Sequence, residues 1–161
     1  MLPTGKNEIL FTLQDHNAEK AGPHHDLRLV LGSSAFSFAT KKELPAPGES
    51  ITLFEQPLHS SDYALSKKVI IPHGQYGAGI TTLRYVKKAT MEEREGYHVI
   101  TLKSGEKYLL KKVPSYGQDA YLFKNLGTKM DNKYLEKISS SNLVPRLRKL
   151  SDPLHEKYLK P

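Results

Sequence analysis

Residues 16–28 read HNAEKAGPHHDLR and set three histidines, His16, His24 and His25, close to Asp26 and Arg28. Neutral imidazole and carboxylate together suit borderline divalent metals such as manganese or zinc. A planar guanidinium beside them suits an oxyanion, phosphate first. The combination points to a site that holds a metal ion and a phosphate. The same residue types also occur as a His-rich loop with a surface ion pair of little energetic consequence.

The elements that carry these residues follow from hydrophobic period. After His25 the chain alternates, with Asp26, Arg28 and Val30 against Leu27, Leu29 and Leu31. Residues two apart on a strand share a face, so His24, Asp26 and Arg28 point one way and the leucines the other. Strand parity thus favours His24 over its neighbour His25 as the partner of Asp26. His16 closes the preceding apolar run, Ile9 to Leu13, and is placed to add a third ligand from a neighbouring strand. Residues 17–23, with Gly22-Pro23, read as the connecting loop.

Other residues are candidates on their own terms. His59 precedes Asp62 and Tyr63 in LHSSDYA, and an imidazole that titrates near neutrality binds phosphate or acts as a general acid. Lys41 and Lys42 close a strand-like run, as solvated ends or as phosphate contacts. The segment 72–79, PHGQYGAG, places glycines around Tyr76, as a turn feeding a strand or as a cradle for a ligand. His73, His98 and His155 read as exposed or structural.

Strand-like runs cover 8–14, 26–31, 35–40, 50–55, 67–71, 79–88, 97–103, 106–113 and 119–124. They are short and rich in Tyr, Phe, Val, Ile and Thr, and Gly- or Pro-containing turns separate them. Such spacing predicts an antiparallel barrel or sandwich, and Ser104-Gly105 predicts a tight hairpin. From residue 129 the pattern becomes helical and basic, with Tyr134, Leu135 and Ile138 on one stripe and Leu143, Leu147 and Leu150 on another. The reading is therefore all-β, with a domain over 1–128 and a short helical C-terminal tail over 129–161.

The 161 residues make one domain of a size that buries a core without staples. No cysteine is present, which excludes disulfides, thiolate metal sites and Cys nucleophiles. No secretory leader or membrane-length apolar run is found, and an intracellular, cytoplasmic setting is the expectation. The net charge of +7 favours a polyanionic partner, nucleic acid before membrane surface.

Taken in order, FTLQDH, HHDLRL, FSFATKK, HSSDYA and PHGQYGAG resemble the 3′-phosphoesterase domain of bacterial end-joining DNA ligase D and its stand-alone relatives. The resemblance covers residues 8–125 and leaves the tail outside it. It implies an antiparallel β-barrel that heals 3′ ends of DNA and RNA–DNA primers during repair, with a divalent metal, typically manganese. The family removes a 3′-terminal ribonucleoside to leave a 3′-phosphate, and can then remove that phosphate. By this resemblance His16, His24 and Asp26 are metal ligands, Arg28 and Lys42 bind phosphate, and His59 with Tyr63 act at the scissile phosphate. It implies DNA or RNA–DNA 3′ ends as partners, with a DNA ligase or other end-joining protein alongside, no membrane, and a monomer.

The chain departs from the family pattern in several places. The interval between His16 and His24 is longer, and His25 stands where Tyr or Trp is common. Ser60-Ser61 replaces Pro-Leu after His59, and Pro57 replaces an acidic residue before it. No arginine lies between Lys42 and His59, and the family's N-terminal arm is not found ahead of the first strand. These departures touch the second reaction, phosphate removal, more than the first. A non-catalytic nucleic-acid-binding or docking subunit that kept the barrel is the alternative.

Overall fold

The computed structural model describes residues 2–128; the predicted tail, 129–161, lies outside the described residues. Nine strands dominate it: β1 (Lys6–Ala18), β2 (Gly22–Leu31), β3 (Ser34–Thr40), β4 (Ser50–Ser60), β5 (Lys68–Ile71), β6 (Gly79–Arg94), β7 (Tyr97–Leu102), β8 (Lys107–Lys112) and β9 (Ala120–Gly127). One short helix, α1 (Ser61–Leu65), follows β4 directly. Each predicted strand run has its counterpart. All pairings are antiparallel, and Ser104-Gly105 turns the chain between β7 and β8 as expected.

The strands run β1-β2-β3-β4-β9-β8-β7-β6-β5 around the sheet, and β1 also pairs with β6. That last pairing joins eight of the nine strands in a ring. β6 is long enough to carry two neighbours on its other edge, β7 toward its end and β5 at its start. The core fills the ring: Phe11, Leu13, Leu27, Leu29 and Phe38 meet Leu53, Met91, Ile100 and Phe123 there. Tyr108 and Phe123 stack inside it with ring centroids 4.7 Å apart.

Strand parity then decides where the chemistry goes. With Phe11, Leu13, Leu27 and Leu29 turned inward, the alternate residues Thr12, Gln14, His16, Asp26 and Arg28 face outward. All five are nonetheless buried, because the chain between β4 and β6 folds back over this part of the outer wall. α1 begins where the Ser60 hydroxyl caps the Tyr63 N–H, and it seats buried Ala64 against Val30 and Ala35. A polar sheet face covered in this way is a built site.

The loop predicted over 17–23 is tighter than expected. Pairing continues through Asn17 opposite Pro23 and Ala18 opposite Gly22, so only 19–21 form the turn. Gly22, at φ +76°, adopts the left-handed backbone that begins the return strand. The consequence is that His16 and His24 are direct cross-strand partners.

Gly79 fixes the covering segment. It lies opposite Ala18 at φ +142°, and a Cβ there would stand 2.1 Å from the Asn17 carbonyl oxygen. No side chain yields to relieve that clash, since the obstacle is backbone. Gly79→Ala is expected to destabilise the protein by roughly 3 kcal/mol. A thermal melt checks this; an unchanged Tm contradicts the placement of β6 against β1.

Candidate metal and phosphate site

The β1–β2 hairpin brings the ligating side chains together by register alone. His16 faces His24, Gln14 faces Asp26 and Thr12 faces Arg28, all on one side of the sheet. The His16 and His24 rings lie 4.6 Å apart. His16 Nδ1 stands 3.0 Å from Asp26 Oδ2, and His24 Nε2 stands 3.3 Å from Asp26 Oδ1. One donor atom from each of the three residues lies within 4.8 Å of the others.

The far nitrogens of both rings are also tied down. His16 Nε2 is 2.7 Å from the Gly77 carbonyl oxygen, and His24 Nδ1 is 3.1 Å from that of Gly22. A carbonyl oxygen only accepts, so each of these nitrogens carries its proton and donates. In the neutral tautomer so fixed, the other nitrogen presents a bare lone pair to a carboxylate oxygen. Two acceptors at that distance require something positive between them, a second proton or a metal ion. Backbone-anchored imidazoles aimed in this way are what a ligand set needs.

The Asp26 carboxylate is held ionised. Burial by itself raises the pKa of Asp26, but hydrogen bonds from His16 and His24 and the charge of Arg28 outweigh it and hold the carboxyl well below the usual range. The hydrogen bond to Asp26 in turn raises the His24 pKa above its ordinary value.

Arg28 is 3 % exposed and held on all sides. Its Nε donates to Gln14 Oε1 at 2.7 Å, Nη1 to Ser37 Oγ at 2.6 Å, and Nη2 to Asp26 Oδ2 at 3.3 Å. Its Cζ lies 4.8 Å from the centre of the Tyr63 ring, a cation–π contact. Gln14 is itself fixed by donating to the Tyr63 carbonyl at 3.1 Å. A guanidinium has five N–H groups, and Nη2 retains one that these contacts do not use. Arg28 is among the residues that line the cleft.

His59 stands at the far side of Arg28. Its Nδ1 lies 2.8 Å from the Pro57 carbonyl oxygen and 3.1 Å from Arg28 Nη1. The shorter contact, to a pure acceptor, places the proton on Nδ1 and leaves Nε2 to the cleft. Burial and then the positive Arg28 push its pKa below the ordinary imidazole value. Tyr63 packs its ring 4.6 Å from that of His59, and burial raises the pKa of its hydroxyl. Lys42 and Lys41 lie on the exposed bend after β3 and Lys20 on the β1–β2 turn. All three line the same cleft, of about 770 Å³, as His16, His24, Asp26, Arg28, His59 and Tyr63.

The other described histidines are not part of the metal set. His25, on the opposite parity, bridges Asp15 and Glu43 at 2.8 Å each, and Arg84 bonds the same two carboxylates. It is tied into an ion cluster on the face opposite the site. His98 contacts the Pro3 carbonyl and does not line the cleft, and exposed His73 pairs with Glu19 along the cleft lining. The predicted set His16, His24, Asp26, Arg28, His59 and Tyr63 is thus brought together, with Lys42 at its edge.

Sequence reasoning did not single out Gln14 and Ser37, and it took Gly77 only as one of the glycines around Tyr76. Gln14 was findable, since it shares strand parity with His16. Ser37 and Gly77 meet the site only through strand pairing and loop return, which local pattern does not encode. The chain matches no protein-family model, and no curated protein matches it.

Proposed function

We propose that the protein is a metal-dependent phosphoesterase that trims 3′ ends of DNA or RNA–DNA strands from the outer wall of an antiparallel β-barrel. One observation carries the reading: two backbone-anchored imidazoles turn their second nitrogens on a buried carboxylate that also holds a buried arginine. The choice of nucleic-acid 3′ ends among phosphate esters rests on the resemblance of HHDLRL, HSSDYA and PHGQYGAG, and on the net charge of +7.

His16 Nδ1, His24 Nε2 and Asp26 would hold the cation, with manganese proposed. When bound, a divalent ion supplies Lewis-acid polarisation of a phosphate oxygen. Arg28 donates its remaining N–H to the phosphate and offsets charge that grows in the transition state. Water would attack phosphorus as the bond to the leaving oxygen breaks. His59, in the form protonated on both nitrogens, would give that oxygen its Nε2 proton, with its ring steadied by Tyr63 and its Nδ1 by Pro57. Burial and Arg28 lower its pKa, so the step should slow as pH rises through neutrality. Lys42 and its rim neighbours hold flanking phosphates, with salt-dependent affinity and little sequence choice.

The test is a primer–template ending in one ribonucleotide, incubated with manganese. Shortening by one nucleoside to a 3′-phosphate end is expected. Binding that weakens with salt but brings no shortening selects the non-catalytic alternative. A second assay isolates His59. His59→Ala should slow loss of a terminal nucleoside by roughly 10²-fold, but loss of 4-nitrophenolate from a 3′-terminal 4-nitrophenyl ester by less than about tenfold, because that leaving group needs no proton. Equal losses would limit His59 to holding the phosphate.

A further inference from the structure

The strand register lays out two rows across the wall of the cleft. One runs Gln14, Asp26, Ala39, Phe54 from β1 to β4, and the next runs Thr12, Arg28, Ser37, Gln56. Neighbouring strands lie about 4.8 Å apart, so Phe54 stands roughly 10 Å from Asp26 across two strand spacings. Only the methyl of Ala39 lies between them. The row therefore reads as carboxylate, shallow floor, aromatic ring.

Phe54 is 45 % exposed although its strand neighbour Leu53 is in the core. Tyr76 is 72 % exposed, and its hydroxyl donates to Gln56 Oε1 at 2.6 Å. Gln56 is two residues beyond Phe54 on the same side of β4. Both aromatic side chains thus stand over one strand, and both line the cleft that holds Arg28. Neither belongs to the core cluster. Large apolar rings kept in water beside a phosphate-binding guanidinium are the combination that single-stranded nucleic acid exploits, with cations on phosphates and rings on bases.

We infer that Phe54 and Tyr76 form a stacking wall for the base of the terminal nucleotide, turned out of its duplex stack while its phosphate meets Arg28. This deepens the phosphoesterase reading and rests on it. Every base has a π-face, so the wall recognises the presence of a base and not its identity. The terminal nucleotide has a stacking neighbour on one side only, and so turns out most easily. Ala39 is part of the device, since a larger side chain there would fill the floor between phosphate and ring.

Two measurements test the inference with the whole chain. In the first, cleavage with manganese is compared for a primer ending in a ribonucleotide and for the same primer ending in an abasic ribose. The unsubstituted protein should prefer the base-bearing end by about tenfold or more in kcat/KM, carried by KM, the size expected for one stacked base. In Phe54→Ala that preference should collapse toward unity, and Phe54→Trp should keep it. His98→Ala should behave as the unsubstituted protein. A preference that survives Phe54→Ala intact overturns the inference.

The second measurement needs no turnover. A primer ending in 5-iodouracil is irradiated with the protein without metal, and the crosslinked residue is identified by mass spectrometry. Crosslinks at Phe54 or Tyr76 support the wall, and crosslinks that avoid both overturn it. Failure of cleavage on both primers would remove the phosphoesterase reading, while the crosslink still decides where the base sits.

Discussion

Asp26→Asn is expected to reduce 3′-end cleavage on the order of 10³-fold, to the floor of most assays, while the protein stays folded. The substitution preserves shape and removes charge. Asp26 touches both imidazoles and the arginine: His16 and Arg28 on Oδ2, His24 on Oδ1. An amide replaces one of those oxygens with a donor. That donor can satisfy the lone pair of one imidazole, which removes the need for a cation between them. The effect on the site is therefore larger than the loss of a single ligand. Manganese affinity should fall with activity, so that raising the metal concentration restores little. Circular dichroism and a thermal melt separate this from unfolding. An Asp26→Asn protein that retains both metal affinity and cleavage would contradict the site.

Arg28→Lys should lower kcat/KM by about 10²–10³-fold and should not rescue what Arg28→Ala loses. The two residues carry the same charge, and the difference is geometry. The guanidinium reaches Gln14, Ser37 and Asp26 with three separate nitrogens, and lies over the Tyr63 ring. One ammonium cannot reach all of them and still meet a substrate oxygen. Gln14 and Ser37 are fully buried, so an acceptor left without its donor there costs roughly 1–3 kcal/mol. Arg28→Lys should thus lower both Tm and turnover, measured on one preparation. Normal turnover with a lowered Tm would make Arg28 a structural residue only.

These expectations show how far residue pattern reaches. The alternation after His25 placed His24, Asp26 and Arg28 on one face, because β-strand parity is local and exact in period. It also separated His24 from His25, which ends between Asp15 and Glu43. Each strand run was legible for the same reason. What pattern does not contain is pairing across long sequence separations. The closure of β1 on β6 and the return of Gly77 to His16 depend on contacts 60 or more residues apart. Gln14 and Ser37 look like ordinary polar strand residues until the register aligns them with Arg28. Phe54 was equally silent, since in an alternating run an aromatic residue reads as core, and only the ring of strands shows which parity faces out.

The central claim is that His16 Nδ1, His24 Nε2 and Asp26 converge on one cation. Pulsed electron paramagnetic resonance of the manganese-loaded protein, with and without ¹⁵N-labelled histidine, reads that coordination directly. One ion per chain is predicted, with nuclear couplings from two imidazole nitrogens that change on labelling. One coupling should disappear in His16→Ala and one in His24→Ala. Manganese that binds without imidazole couplings, or binds as tightly in Asp26→Asn, would contradict it.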